Sequence, residues 1–329
     1  MEYKSFAITV TGGSHKKTGK CCQDASFKSE SSSVSIAVVA DGHGDNNCFR
    51  SDKGAKLAVA CVAKGIEEFV KIHKSSFYIG FFRKKETPPK SDFDKSIKDL
   101  VKHIIAEWQI KVEEDYKANP FTQQELEDTD EKYRKRYEGG NGLNKVYGTT
   151  LIATAITDDY WLGIHIGDGR LTALYPDGSF NQPVPWDEKC YLNVTTSICD
   201  DDALEQSRIY FSYNNEKTPP AIVFICTDGI DDNYPVEGNE NHLYKLYRTI
   251  ALTFVKDGFA STYEQLIELA DAFATKGKGD DTSIAGFIDM EAIKKAEPIW
   301  QKQIEGENKT VNENTLSYGG FISGNGHNY

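Results

Sequence analysis

Apolar residues fall along this chain in two different rhythms. Short runs over residues 3–10 and 34–40 read as strands. The second, VSIAVVA, is apolar at consecutive positions, as expected of a strand buried on both faces. From Ser51 onward the spacing becomes helical, through Leu57, Cys61, Val62, Ile66, Phe69 and Val70. After a basic, proline-containing loop over 75–92 it resumes with Phe93, Ile97, Leu100, Val101, Ile104 and Trp108, which predicts two long helices. Residues 110–146 are strongly charged and end in YEGGNGLN, so they predict a partly helical insertion closing in a glycine-rich loop. The strand rhythm then returns in TTLIATAITDDYWLGIHIGDGRLTALYPDGSF. It breaks at TDD, GDG and PDG, and predicts a meander of three or four antiparallel strands.

Further strands are expected at 192–198, 207–212 and 221–226. Helices are expected near 241–256 and 262–275, the second opened by STYE with capping-box spacing. A last strand, TSIAGFI, and a short helix to about 303 complete one domain over 1–303, with 110–146 as its insertion. Residues 304–329 are rich in Asn, Gly and Ser and predict a polar, flexible tail.

Composition narrows the function classes. A chain of 329 residues, 39% hydrophobic, has ample material for a core. A net charge of −12 argues against a sequence-independent nucleic-acid binder, which needs clustered Lys and Arg. The seven cysteines are odd in number and scattered, which points to a reducing, cytoplasmic setting. No window approaches the roughly 18 charge-free apolar residues of a membrane span. The start, MEYKSFAITV, lacks the basic-then-apolar layout of an export signal.

Four Asp-containing segments share one layout at the edges of apolar runs: VVADGHGD at Asp41, GIHIGDGR at Asp168, VFICTDGIDD at Asp228, and GKGDDTSIAGF at Asp280 and Asp281. Any one of them reads as an ordinary Asp-Gly turn, as YPDGSF does. Four together at the ends of buried strands point to one rim, where carboxylates repel unless a cation neutralises them. Oxygen-only donors select Mg²⁺ or Mn²⁺, and no Cys or His pair has zinc spacing. An EF-hand is excluded: counting from Asp41, position six is Asn46 and position twelve is Asp52. Two such ions about 3.5–4 Å apart would bridge a water and hold a phosphoryl group, with Asp41 as the bridging ligand. His43 is then a candidate general acid, the alternative being a surface histidine.

In order along the chain, DGHG (41–44), GDGR (167–170), TDG (227–229) and DDTS (280–283) resemble the motifs of the metal-dependent serine/threonine protein phosphatases of type 2C. The resemblance runs from about residue 8 to 288, and GSH…CQD is similar to a divergent, mostly bacterial branch. It implies an α+β, four-layer α-β-β-α sandwich, two stacked antiparallel sheets flanked by helices, with a dinuclear centre at one end. It further implies that Asp41 bridges two Mn²⁺ or Mg²⁺ ions, that the Gly42 carbonyl binds one, and that Asp228 and Asp280 complete the set. Asp168 corresponds to a third, weaker ion, Asp24 to a position acting through water, and Asp281 to a place beyond the ligands. The family's usual phosphate-binding Arg is missing; His15, Lys16, Lys17 and Lys20 are the candidates to replace it.

The expected activity is hydrolysis of phosphoserine and phosphothreonine in proteins by a metal-bridged water. The substrates would be those of a serine/threonine kinase, and the chain a cytoplasmic monomer with no nucleic-acid or membrane partner. Cys21, Cys22 and Cys48 are not followed by the Arg of a Cys-x5-Arg loop. The competing readings are a catalytically silent binding module of the same fold and a phosphatase of small phosphate esters. Residues 110–146 and the loop over 75–92, with its FYIGFFRKK stretch, are the expected determinants of partner choice.

Overall fold

The consecutive apolar residues of VSIAVVA serve two different cores. Ile36, Val38 and Ala40 face one cluster while Ala37 and Val39 face another, so a period of two accounts for a run that is apolar throughout. The computed structural model describes residues 2–84, 90–190 and 194–317, with side chains described over 2–73, 94–190 and 194–307.

In chain order the elements are β1 (Tyr3–Val10), α1 (Gly13–Thr18), β2 (Asp24–Glu30), β3 (Ser35–Asp41), α2 (Ser51–Lys84), α3 (Lys90–Ala118), α4 (Gln123–Glu127), α5 (Glu131–Glu138), α6 (Leu143–Val146), β4 (Leu151–Ile156), β5 (Tyr160–Ile166), β6 (Arg170–Leu174), β7 (Phe180–Asn181), α7 (Ala203–Gln206), β8 (Arg208–Tyr213), β9 (Ile222–Cys226), α8 (Asp228–Asp231), α9 (Asn239–Lys276), β10 (Thr282–Asp289) and α10 (Met290–Ser317). Two antiparallel sheets form, ordered β1-β10-β9-β6-β7 and β2-β3-β4-β5-β8.

Three hydrophobic clusters match three interfaces. Val39, Ile152 and Trp161 of one sheet meet Leu171, Ile225 and Phe287 of the other. Ile36, Val38 and Leu162 pack with Val62, Ile66, Ile104 and Trp108 of α2 and α3. Phe6, Phe224 and Ile284 pack with Tyr247, Phe254 and Trp300 of α9 and α10. The molecule is therefore the expected α-β-β-α sandwich, and every layer boundary is apolar.

Several elements differ from the sequence reading. The meander is divided: β4 pairs with β5 in one sheet, whereas β6 pairs with β7 and β9 in the other. The chain changes sheets at GDG, where Gly167 takes φ 118°, so the motif is a crossover and not a hairpin turn. β2 and α1 lie in a stretch without an apolar run; β2 is a polar edge strand that needs none. The strand expected over 192–198 joins neither sheet where it is described. Residues 196–199 form a buried loop tied by Ile198 N–H to the Thr149 carbonyl (3.1 Å). The break near 258 comes from Gly258 at φ 77°, not from a capping box at STYE.

The loop over 75–92 is shorter than expected, because α2 continues to Lys84. The FYIGFFRKK side chains lie outside the described residues. The segment 304–317 is helical rather than a free tail, since Arg248 forks onto Glu307 (2.8 and 3.0 Å) and holds α10 against α9. The remaining tail, 318–329, lies outside the described residues. Among the described residues no helix is long and apolar enough to cross a membrane. All seven cysteines are free thiols.

Candidate functional site

Register carries the Asp segments to one end of the sandwich. In one sheet Val10 pairs with Thr282, and Cys226 pairs with both Ile284 and Arg170, so Asp280, Asp281, Asp228 and Asp168 lie just beyond adjacent strand ends. In the other sheet Asp24 pairs with Asp41. The Asp41 carbonyl accepts the Thr150 N–H (2.8 Å) at the start of β4.

Asp24 is buried. One oxygen accepts the Thr227 hydroxyl (2.8 Å) and the other, Oδ1, has no partner. The half-buried Asp41 and Asp228 face each other closely enough that a proton on Asp41 bonds Asp228, whose Oδ1 is also buried and unpartnered. Burial pushes the Asp24 carboxyl up to about 7, with Asp281 and Asp280 adding to it and the Thr227 and Ser283 hydroxyls opposing. Burial, then Asp24, Asp228 and Asp168, hold Asp41 well above the carboxylate range. Burial, then Asp168, do the same to Asp228. Asp168 is raised by burial against a hydrogen bond from Thr195 and the charge of Arg170.

Mutually repelling carboxyls with buried, unpartnered oxygens fit a hard divalent cation, whose charge would remove the repulsion and whose coordination would use those oxygens. Among the described residues no three His, Cys, Asp or Glu side chains close on a single point. The donors face one another without forming a finished cage.

The DGHG loop is held by backbone contacts. Gly42 donates its N–H to the Gln23 carbonyl (3.1 Å) and bridges to Thr149. A Cβ at Gly42 would lie 2.6 Å from the Gln23 oxygen and 2.7 Å from the Ser51 oxygen, so the close approach requires glycine. Gln23 Nε2 donates to the His43 carbonyl (3.1 Å) and to the Ser51 hydroxyl (2.6 Å). His43 Nε2 is 2.8 Å from the Ser197 hydroxyl. That hydroxyl has the Thr149 carbonyl (2.9 Å) and the Cys199 sulfur as acceptors, which leaves the proton of the His43–Ser197 bond on His43 Nε2. Burial lowers His43 to about 4, opposed by Asp200 and Asp45, so the imidazole is neutral at pH 7.

The remaining candidates separate. Asp281 is saturated by the protein, accepting Gly12 N–H (2.7 Å), Gln23 N–H (2.6 Å) and His15 Nδ1 (3.0 Å). Asp280 is exposed and accepts only the Asp281 N–H (2.8 Å) among the described contacts. Lys16 turns to Asp271 on α9 (3.1 Å), Lys17 is exposed, and Lys20 reaches the Gly44 carbonyl (3.0 Å). Of the four cations proposed from sequence, Lys20 alone bonds directly to the DGHGD loop among the described residues.

Five supporting residues were missed in the sequence reading: Gln23, Thr227, Ser197 and the paired Arg170 and Asp231. Arg170 is buried, 2.7 Å from Asp231, donates to the Asp168 and Gly169 carbonyls, and stacks 3.7 Å from the Trp186 ring centroid. Burial raises Asp231 to about 7 against the pull of Arg170; a guanidinium at this distance favours the carboxylate. Asp231 follows Asp228 by three residues, and the helical spacing within TDGIDD is the pattern that would have found it.

Comparison with known proteins bears on the fold and the family. No curated protein matches the chain. Among solved structures it resembles the Streptococcus agalactiae serine/threonine phosphatase ("S. agalactiae"; 14% identity, 87% of this chain and 99% of that one, TM-score 0.50). It also resembles the Staphylococcus aureus serine/threonine phosphatase Stp1 (12%, 88% and 96%, TM-score 0.50). A third is PppA of Pseudomonas aeruginosa, described as a key regulatory component of T6SS (14%, 88% and 98%, TM-score 0.50). At these identities the likeness speaks for the fold. The sequence model of one family, Protein phosphatase 2C, matches residues 11–267, well over half the chain, and spans the strand ends that carry Asp24, Asp41, Asp168 and Asp228. The chain belongs to the Protein phosphatase 2C family.

Proposed function

We propose that this protein is a metal-dependent phosphatase of phosphoserine and phosphothreonine in proteins, acting in the cytoplasm as a monomer. The observation that carries the reading is the pair of buried, unpartnered oxygens, Asp24 Oδ1 and Asp228 Oδ1, on the two sides of Asp41 at one end of the sandwich. Asp41, Asp228, Asp280 and the Gly42 carbonyl are the donors for two Mg²⁺ or Mn²⁺ ions, with Asp24 acting close by and Asp168 serving a third. When bound, such ions supply positive charge that acidifies a water and neutralises phosphoryl oxygens.

The chain's own groups do the rest. Lys20 offers a point charge to the phosphate beside Gly44. The water oxygen, one of its protons lost to solvent, bonds to phosphorus as the ester P–O bond breaks, and the leaving Ser or Thr oxygen takes the proton of a His43 imidazolium, which solvent then restores. A dianionic ester beside the ring favours imidazolium and so offsets the burial that keeps His43 neutral in the free protein. The saturated Asp281 and the Gln23 amide hold the loop that presents Gly42 and His43.

Hydrolysis of a phosphothreonine peptide, measured in chelator and again with Mn²⁺ or Mg²⁺, tests the proposal beside an Asp228→Asn variant. Turnover that needs metal and falls at least about 100-fold in the variant is expected. Metal-independent turnover, or none on any phosphate ester, would overturn the reading.

A further inference from the structure

The charged segment after α3 makes its main polar contacts with the loop that carries His43. Arg50 closes that loop and is buried, and all five of its side-chain N–H donors are used. Nε and Nη2 fork onto Glu125 (2.7 and 3.0 Å), and Nη1 donates to the Asn119 carbonyl (2.6 Å) and the Tyr147 hydroxyl (2.9 Å). Nη2 also reaches the Pro120 carbonyl (3.2 Å), with the guanidinium 4.7 Å from the Phe121 ring centroid. Glu125 is itself fixed by a capping box with Thr122 at the start of α4. A second contact repeats the theme: Asp130 N–H donates to Asn47 Oδ1 (3.2 Å), and the Tyr137 hydroxyl donates to the Asn47 carbonyl (3.2 Å).

With Arg50 buried and Glu125 half-buried, the ion pair is a weak source of stability, since apolar residues of the same volume would serve as well. What the fork supplies is geometry. Here the geometry leads to the site. The Tyr147 that Arg50 grips is followed by Gly148, whose carbonyl accepts the His43 N–H (3.1 Å). Gly148 packs so close to the imidazole that an added Cβ would stand 2.6 Å from His43 Cδ2. The Arg50 N–H in turn donates to the Val146 carbonyl (3.1 Å), so residues 146–148 lie alongside the loop 43–50.

We infer that residues 119–147 form a clasp in which Arg50 and Glu125 are positioning residues, holding Tyr147–Gly148 against the ring of His43. The inference rests on the reading of His43 as the group that protonates the leaving oxygen. The segment thus takes a part in supporting the site, beside the partner choice expected of it from sequence.

The test compares two small esters, phenyl phosphate, whose leaving oxygen needs a proton, and 2,4-dinitrophenyl phosphate, whose phenolate departs without one. With Mn²⁺ present, Glu125→Gln and Arg50→Lys are each expected to lower kcat on phenyl phosphate by about 10-fold or more, and on the dinitrophenyl ester by less than about 2-fold. The double variant is expected to lose no more than the worse single one, because both act on one clasp. Hydrogen exchange at the His43 amide is expected to quicken by about 10-fold in the variants. Far-UV circular dichroism and melting establish that the variants are folded, and Glu125→Gln carries the test if Arg50→Lys does not fold. Equal losses on the two esters, or unchanged turnover with unchanged amide protection, would overturn the clasp. A wild-type protein inert on both esters leaves the His43 amide to decide alone, and unchanged protection in Glu125→Gln then overturns the clasp; a protein inert on the phosphothreonine peptide as well removes the phosphatase reading instead.

Discussion

Asp24 and Asp41 stand directly opposite each other across β2 and β3, two carboxyls at the same end of neighbouring antiparallel strands. Like charges in that position destabilise a sheet, and Asp228 and Asp168 approach from the second sheet to add to the strain. The stability of the metal-free protein should therefore follow the protonation of this cluster.

Asp24 titrates near 7 when folded and near about 3.9 when unfolded, so between those values the folded state binds more protons. Stability then falls as pH rises through the window, and the penalty is fully present above about pH 7. In chelator at pH 8, Asp24→Asn is expected to be more stable than wild type by on the order of a few kcal/mol, with the gain shrinking toward pH 5. Thermal melts at the two pH values check this, and an Asp24→Asn protein no more stable than wild type at pH 8 would refute it.

Arg170 and Asp231 form a buried pair whose other contacts fix the backbone of Asp168 and Gly169. Removing one partner leaves a buried charge without compensation. Asp231→Ala should cost about 3–5 kcal/mol in urea unfolding, whereas Arg170→Met combined with Asp231→Leu should cost less. If the double replacement proves as costly as the single one, the pair is not the buried charge balance described.

Lys20 and Lys16 sit on or just after one short helix yet face different places, the Gly44 carbonyl and Asp271 respectively. Lys20→Ala should weaken competitive inhibition by inorganic phosphate by about 3- to 10-fold with kcat little changed, and Lys16→Ala should leave it untouched. Equal effects from the two variants would remove Lys20 as the phosphate anchor.

Where the sequence was legible, periodicity had a single physical cause. The strand run at 34–40 and the helical stripes after Ser51 each report burial, and Asp41, Asp168, Asp228 and Asp280 stand at the ends of buried strand runs. β2 and α1 were illegible because an edge strand and a short surface helix need no apolar pattern. The division of the meander was hidden because GDG looks the same whether the chain turns back or changes sheets. Ser197 lay in a segment that resembles a strand by β-branched content, although its hydroxyl is what His43 contacts. Arg50 and Glu125 are far apart in the chain, and no local spacing announces a pair closed through tertiary packing.

The central claim is that the facing carboxyls at the strand ends hold divalent ions. Calorimetric titration of Mn²⁺ into the chelator-treated protein, wild type and Asp41→Asn side by side, tests it most directly. The account predicts about two ions bound by wild type and loss of that binding in the variant. No binding to wild type, or unchanged binding to Asp41→Asn, would contradict it.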